Sequence, residues 1–175
     1  MPHPLVLQLR FTRYEFHRSL RGLDPKDAEV QVMPMNCISW NVGHLAWQEQ
    51  SYFLIYGMKI KPFPKIAKDF AYGAPASTPP LEEVLNAWKS ITTETEIWLN
   101  TLTSEMLTVP VVSQNKEIKY TFGNLLLRTI YHYWYHIGEN LAIRQQLGHT
   151  NLPEFVGNLD SRAPYLPEII NSSNS

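Results

Sequence analysis

The chain has one cysteine, Cys37, in 175 residues. No disulfide can form within it, which suits a reducing compartment. It has no uncharged apolar run of about 18 residues, the length needed for a membrane-spanning helix. The N-terminal stretch MPHPLVLQLRFTRYEF reaches Arg10 too early for a secretory signal. An excess of charge of one sign is missing too. The formal net charge is −1 and no basic run or stripe occurs, so neither nucleic acid nor an anionic membrane is an expected partner. Charged residues are only 18%, against 44% hydrophobic, the balance of a globular chain. A cytoplasmic protein with a single domain over 1–175 is the expectation.

Proline and glycine are present, and their positions divide the chain. Residues 4 to 21 read as a first helix with Leu5, Leu9 and Phe16 inward and Gly22 at its end. Asp24 to Met35 holds Pro25 and Pro34 and reads as a connection with at most a short turn. Asn36 is the expected N-cap of a second helix that runs to Tyr56 and stops at Gly57. Met58 to Pro80 contains five prolines and reads as a long irregular loop that could cover a pocket mouth. A third helix begins near Pro80, with Glu82 and Glu83 in its first turn favouring the helix dipole. Leu81, Leu85, Trp88, Ile91, Thr95, Trp98 and Leu102 are its inward face. Alternation around Gln114-Asn115 predicts a small β-hairpin between the third and fourth helices. After Gly148, Pro153, Gly157, Pro164 and Pro167 exclude a helix of any length, and Leu152, Phe155, Val156, Tyr165 and Leu166 predict a tail packed on the body or on a partner.

The fourth helix, Phe122 to His149, is the longest uninterrupted segment. Thr121 or Asn124 can cap its start, and Gly148 suits its end. His132 and His136 lie four apart within it, hence on one face. On the second helix Cys37, Asn41, His44, Gln48 and Ser51 recur at steps of four, three, four and three. Polar stripes inside two aromatic-rich helices need partners, because a buried polar group left alone costs roughly 1–3 kcal/mol. The stripes can satisfy one another, or they can surround an ion and a substrate. A His-x3-His pair alone is weak evidence, since it also occurs as two exposed or internally bonded histidines. His44 on a second stripe strengthens the metal reading, and Gly43 and Gly138 beside the stripes predict close helix approach.

The GHLAW segment at 43–47 and HYWYHIGENLAIRQQLGH at 132–149 resemble the DinB-like superfamily, which includes the YfiT-like thiol transferases and the N-terminal domain of mycothiol-dependent maleylpyruvate isomerase. The resemblance covers nearly the whole chain. It implies an all-α four-helix bundle in up-down-down-up order, frequent homodimers, and His44, His132 and His136 as metal ligands. Glu139 falls outside that ligand set.

Three neutral imidazoles leave an ion its full charge and one open position, the pattern of catalytic zinc sites. Imidazole also suits nickel, iron and copper; zinc or nickel is the foremost expectation, iron the next. Such an ion deprotonates a thiol or acidifies a water. The expected function is transfer of a low-molecular-weight thiol to an electrophilic small molecule in detoxification or stress response. A metal-dependent hydrolase and a non-catalytic metal-binding stress protein are the alternatives. Glu139 can accept the free N–H of His136 or act as a base, or it can pair with Arg144 or Arg128. Asn41, Gln48 and Asn140 can line the pocket and orient ligands or substrate, or they can bond across helices. Glu49, one residue off the stripe, reads as a helix boundary, Cys37 as a small buried residue, and His3, His17 and His149 as surface or capping groups.

Overall fold

A computed structural model of the chain describes residues 2–61, 63–113, 116–154 and 156–166. Helix α1 (Pro4–Ser19) opens on a proline whose fixed φ suits the first helical position, and the His3 ring caps it by accepting from the Leu5 N–H. Gly22, at φ 68°, turns the chain toward the short α2 (Pro25–Ala28). Helix α3 (Ile38–Glu49) starts at Cys37, not at Asn36: the Cys37 sulfur accepts from the Trp40 N–H. It does not stop at Gly57 either. From Gln50 to Met58 it continues as a π-helix and ends at Lys59 in the left-handed region. Such wide turns are rare and cluster near functional sites. Gly57 instead lets this segment lie against α5, since a Cβ there would sit 2.8 Å from the Trp98 ring.

The segment expected to be irregular contains α4 (Pro64–Phe70), again started by proline and anchored by the buried Ile66 and Phe70. Helix α5 (Leu81–Leu99) carries Glu82 and Glu83 in its first turn and buries Leu81, Val84, Trp88, Ile91, Thr95 and Leu99. After α6 (Ser104–Thr108), strands β1 (Pro110–Ser113) and β2 (Lys116–Thr121) pair antiparallel as the expected hairpin, with its Gln114-Asn115 tip outside the described residues. Thr121 and Asn124 together form a capping box for α7 (Phe122–Gln146), and Gly148 at φ 81° follows its end. The tail adds a single turn, α8 (Leu159–Arg162), and packs on α1: the Gly157 N–H donates to Glu15, and Gln8 donates to the Ala163 carbonyl. Phe155 and Pro167 lie outside the described residues.

Side-chain pairings give the directions of the long helices. Arg10 bonds Glu96 and Asn100 while Phe16 packs on Trp88, so α5 runs against α1. Phe11 packs on Trp134 while Arg144 reaches the Ser19 carbonyl, so α7 runs with α1. Asn41 bonds Asn140 while Glu49 bonds Tyr133, so α3 runs against α7. The order is therefore up, down, down, up, in an all-α bundle with one small hairpin. No helix among the described residues is long and apolar enough to cross a membrane.

One buried polar cluster ties all four long helices together. Arg13 donates to both oxygens of Glu49, from Nε at 2.7 Å and from Nη2, and also to Thr95 Oγ1 at 2.8 Å and Glu96 Oε1 at 2.6 Å. The Tyr133 hydroxyl donates to Glu49 at 2.9 Å and accepts from Trp88 Nε1 at 2.5 Å. Burial lowers the affinity of Arg13 for its proton, but the Glu49 carboxylate overcomes this and holds it above the ordinary arginine value. Burial, reinforced by Glu49, pushes the Tyr133 hydroxyl well up, so it remains a donor. Glu49 is thus no mere helix boundary: it is fully buried and the acceptor on which the cluster converges.

Removing one partner of a buried ion pair costs about 3–5 kcal/mol, because the other charge stays buried. Glu49→Leu is expected to lose stability on that scale in urea denaturation, and Arg13→Met/Glu49→Leu to regain most of it. A single-variant loss under about 1 kcal/mol would show that the cluster is not a fixed charge pair.

Candidate metal centre

The antiparallel run of α3 against α7 sets His44 opposite His132 and His136. Ring centroids are 4.9 Å apart for His44 and His132, 5.6 Å for His44 and His136, and 4.6 Å for His132 and His136. His132 Nε2 and His136 Nε2 are 3.0 Å apart, and one nitrogen from each ring lies within 4.8 Å of the others. In a tetrahedral site with Zn–N near 2.1 Å, the nitrogens would be about 3.4 Å apart. The observed spacing brackets that value.

Two acceptors decide which nitrogens face the centre. His44 Nδ1 lies 2.8 Å from the Phe70 carbonyl, and a carbonyl can only accept, so Nδ1 carries the proton. His136 Nδ1 lies 2.7 Å from Glu139 Oε2, with the same consequence. Both Nε2 lone pairs are left facing inward. Burial lowers the pKa of His44, and burial with the neighbouring His136 and His44 lowers that of His132 to about 3. Both rings are neutral at physiological pH, the form that ligates metal. By donor type and spacing, the three residues fit a divalent ion.

The surrounding residues hold this arrangement. Trp40 and Trp47 stack on His44, at centroid distances of 4.9 Å and 5.1 Å. A Cβ on Gly43 would meet the Phe70 ring at 2.6 Å, so glycine is what lets α4 lie against α3 and bring the Phe70 carbonyl to His44. Gly138 differs from expectation: a Cβ there would meet nothing within 4 Å, so it marks no close approach. Asn41 Nδ2 donates to Glu139 Oε2 at 2.9 Å and to Asn140 Oδ1 at 2.8 Å. Glu139 thus orients His136. Neither arginine expected as its alternative partner takes that place: Arg144 bonds the Ser19 carbonyl and His149, and Arg128 lies over Tyr120. Gln48 is buried beside the site, and neither its Oε1 nor His132 Nδ1 has a hydrogen-bond partner among the described residues. Cys37 is occupied at the start of α3 by Ser39 and the Ser77 carbonyl. His3 caps α1, His149 faces Asp27, and His17 stacks on Trp88.

Phe70 and Trp40 are the contributors that sequence reading passed over. Pro64 followed by Ile66 and Phe70 at helical spacing was the available signal for α4, masked by the four other prolines of the segment.

A bundle of four long helices enclosing a three-histidine cluster between the second and fourth defines the class. The DinB superfamily model matches residues 8–139, a span that holds all three histidines, and the chain belongs to that superfamily. No curated protein matches the sequence.

Two outcomes follow from this geometry. Gly43→Ala is expected to cost about 1–3 kcal/mol through overpacking and to weaken metal retention, read by calorimetry and elemental analysis. Unchanged retention would mean the Phe70 carbonyl does not hold His44. In metal-free protein, His132 titrates near 3 when folded and near 6.5 when unfolded, so the unfolded chain binds more protons between those values. Stability of chelated protein is expected to fall as pH drops through that window, and less steeply in His132→Gln; equal slopes would remove His132 as a cause.

Proposed function

We propose that the protein is a metal-dependent enzyme that activates a low-molecular-weight thiol and transfers it to an electrophilic small molecule, in detoxification or stress response. One observation carries this reading. Three histidines, His44 and His136 buried and His132 half-buried, bring nitrogens close to one another, and no fourth histidine, cysteine or carboxylate joins them among the described residues. Three protein ligands with an open position mark catalytic rather than structural metal sites.

A bound divalent ion would lower the pKa of a thiol or water at its remaining position. The chain's own residues do the rest. The Phe70 carbonyl and Glu139 keep two imidazoles in the ligating tautomer, and Trp40 and Trp47 stack on the His44 ring. Glu139 Oε1, which makes no hydrogen bond among the described residues, is the candidate acceptor of the thiol proton. The sulfur lone pair then forms a C–S bond while a halide leaves with its electron pair, or while an epoxide oxygen takes the pair and is protonated. Superfamily membership and the three-histidine cluster support the metal-dependent part; the thiol and its acceptor are the proposal.

The test is incubation of metal-loaded protein with small thiols and chlorinated or epoxide acceptors, with products followed by mass spectrometry. Conjugates are expected from wild type and not from His136→Ala, whose metal content should fall more than about tenfold, as for loss of a ligand contact, at unchanged helicity. Metal retained by that variant would overturn the ligand assignment. Ester hydrolysis without thiol, and no conjugation, would assign the open position to water instead.

A further inference from the structure

One helical turn from the histidines, α3 and α7 carry a second group of polar side chains on the same side of the site. Gln48 follows His44 by four residues, and Arg128 precedes His132 by four. Because the helices are antiparallel, both steps lead in one direction. There the Tyr52 and Tyr56 rings stack at 6.3 Å, and the Arg128 guanidinium carbon lies 4.4 Å from the centroid of Tyr120 on β2. These side chains sense one another. Burial pushes the Tyr52 hydroxyl up, while Arg128 and the Gln48 amide act in the opposite sense.

The two ends of the centre differ in charge and access. At the Glu139 end, the carboxylate is bonded to His136 and Asn41, and Asn41 and Asn140 are fully buried. At the other end Arg128 is exposed, and Tyr52 and Tyr56 are half-buried. Arg10, Arg13 and Arg18 each pair with a carboxylate; Arg128 has none among the described residues. Gln48, buried one turn from His44, engages Tyr52 through its amide, and its Oε1 has no partner among the described residues. A guanidinium on an aromatic shelf, with no carboxylate partner among the described residues, is the chemistry of an anion site for a small molecule.

We propose that Arg128, with Tyr52, Tyr56 and Tyr120, forms a subsite for a carboxylate on the molecule held at the three-histidine centre. The inference rests on the metal-centre reading. It selects, among small thiols, those that also carry a carboxylate on the Arg128 side of sulfur. A planar guanidinium receives a carboxylate through two parallel N–H groups, while the tyrosine faces cover the intervening methylenes.

The probes are 4-mercaptobutanoate and 4-mercaptobutanamide, titrated into cobalt-loaded wild type, Arg128→Met and Arg128→Lys, with the cobalt–thiolate absorption as readout and cobalt content measured in each sample. Wild type is expected to bind the acid roughly tenfold more tightly than the amide, the scale of one charge-assisted hydrogen bond. Arg128→Met should lose that preference at unchanged cobalt content, and Arg128→Lys should keep part of it. Equal binding of acid and amide by wild type, or a preference that survives in Arg128→Met, overturns the subsite while leaving the centre intact. Wild type that takes up no cobalt, or shows no thiolate absorption with either probe, overturns the centre itself and the subsite with it.

Discussion

Two acceptors, the Phe70 carbonyl and the Glu139 carboxylate, take the Nδ1 protons of His44 and His136, and the rest of the site depends on that choice. An imidazole has two nitrogens, and committing one to donation leaves the other as the lone-pair donor. With both Nδ1 atoms held, the Nε2 atoms can only face each other across the α3–α7 seam. The acceptors are themselves placed by other elements. Phe70 ends α4, which reaches α3 only because residue 43 has no side chain. Glu139 is fixed by Asn41, which is fixed in turn by Asn140. The oriented imidazoles are therefore a product of helix packing, not of the histidines alone.

The seam is braced by a polar cluster of a different kind. Glu49 follows Gln48 on α3, and Tyr133 follows His132 on α7, so the Arg13–Glu49–Tyr133 bonds lie just behind the residues that face the site. A buried charge pair is a poor source of stability compared with apolar packing, but its hydrogen bonds tolerate little displacement. Here they fix the relative height of α1, α3, α5 and α7 at the level where α3 widens into a π-helix. That widening carries the chain past Gly57 against Trp98 and leaves Tyr52 and Tyr56 flanking the open end of the centre.

Much of this was legible from residue order. Periodic apolar positions and terminal glycines or caps located α1, α5 and α7 within a few residues, and period-two alternation located the hairpin. The stripes on α3 and α7 brought Asn41, His44, His132, His136, Glu139 and Asn140 into view together. Other features were not legible, for physical reasons. Helix α4 is short and surrounded by prolines that read as turn signals. The π-helical segment has no distinct composition. Glu49 lies one position off its stripe, and only the approach of Arg13 from α1 makes its burial tolerable. The two glycines beside the stripes look equivalent in sequence, yet Gly43 faces a neighbour and Gly138 faces open space.

What residue order alone determined was the inventory: one cysteine, near-neutral charge, four long apolar-periodic segments, and imidazoles spaced so that one helix face could present two of them. Local spacing governs these because helix geometry is the same wherever a helix is found. What the tertiary structure decided was partnership. Which nitrogen of each ring is free, which carboxylate is buried, which glycine is crowded and which arginines pair with carboxylates all depend on side chains far apart in the chain. No periodicity encodes these, because they are set by the distances at which separate helices come to rest.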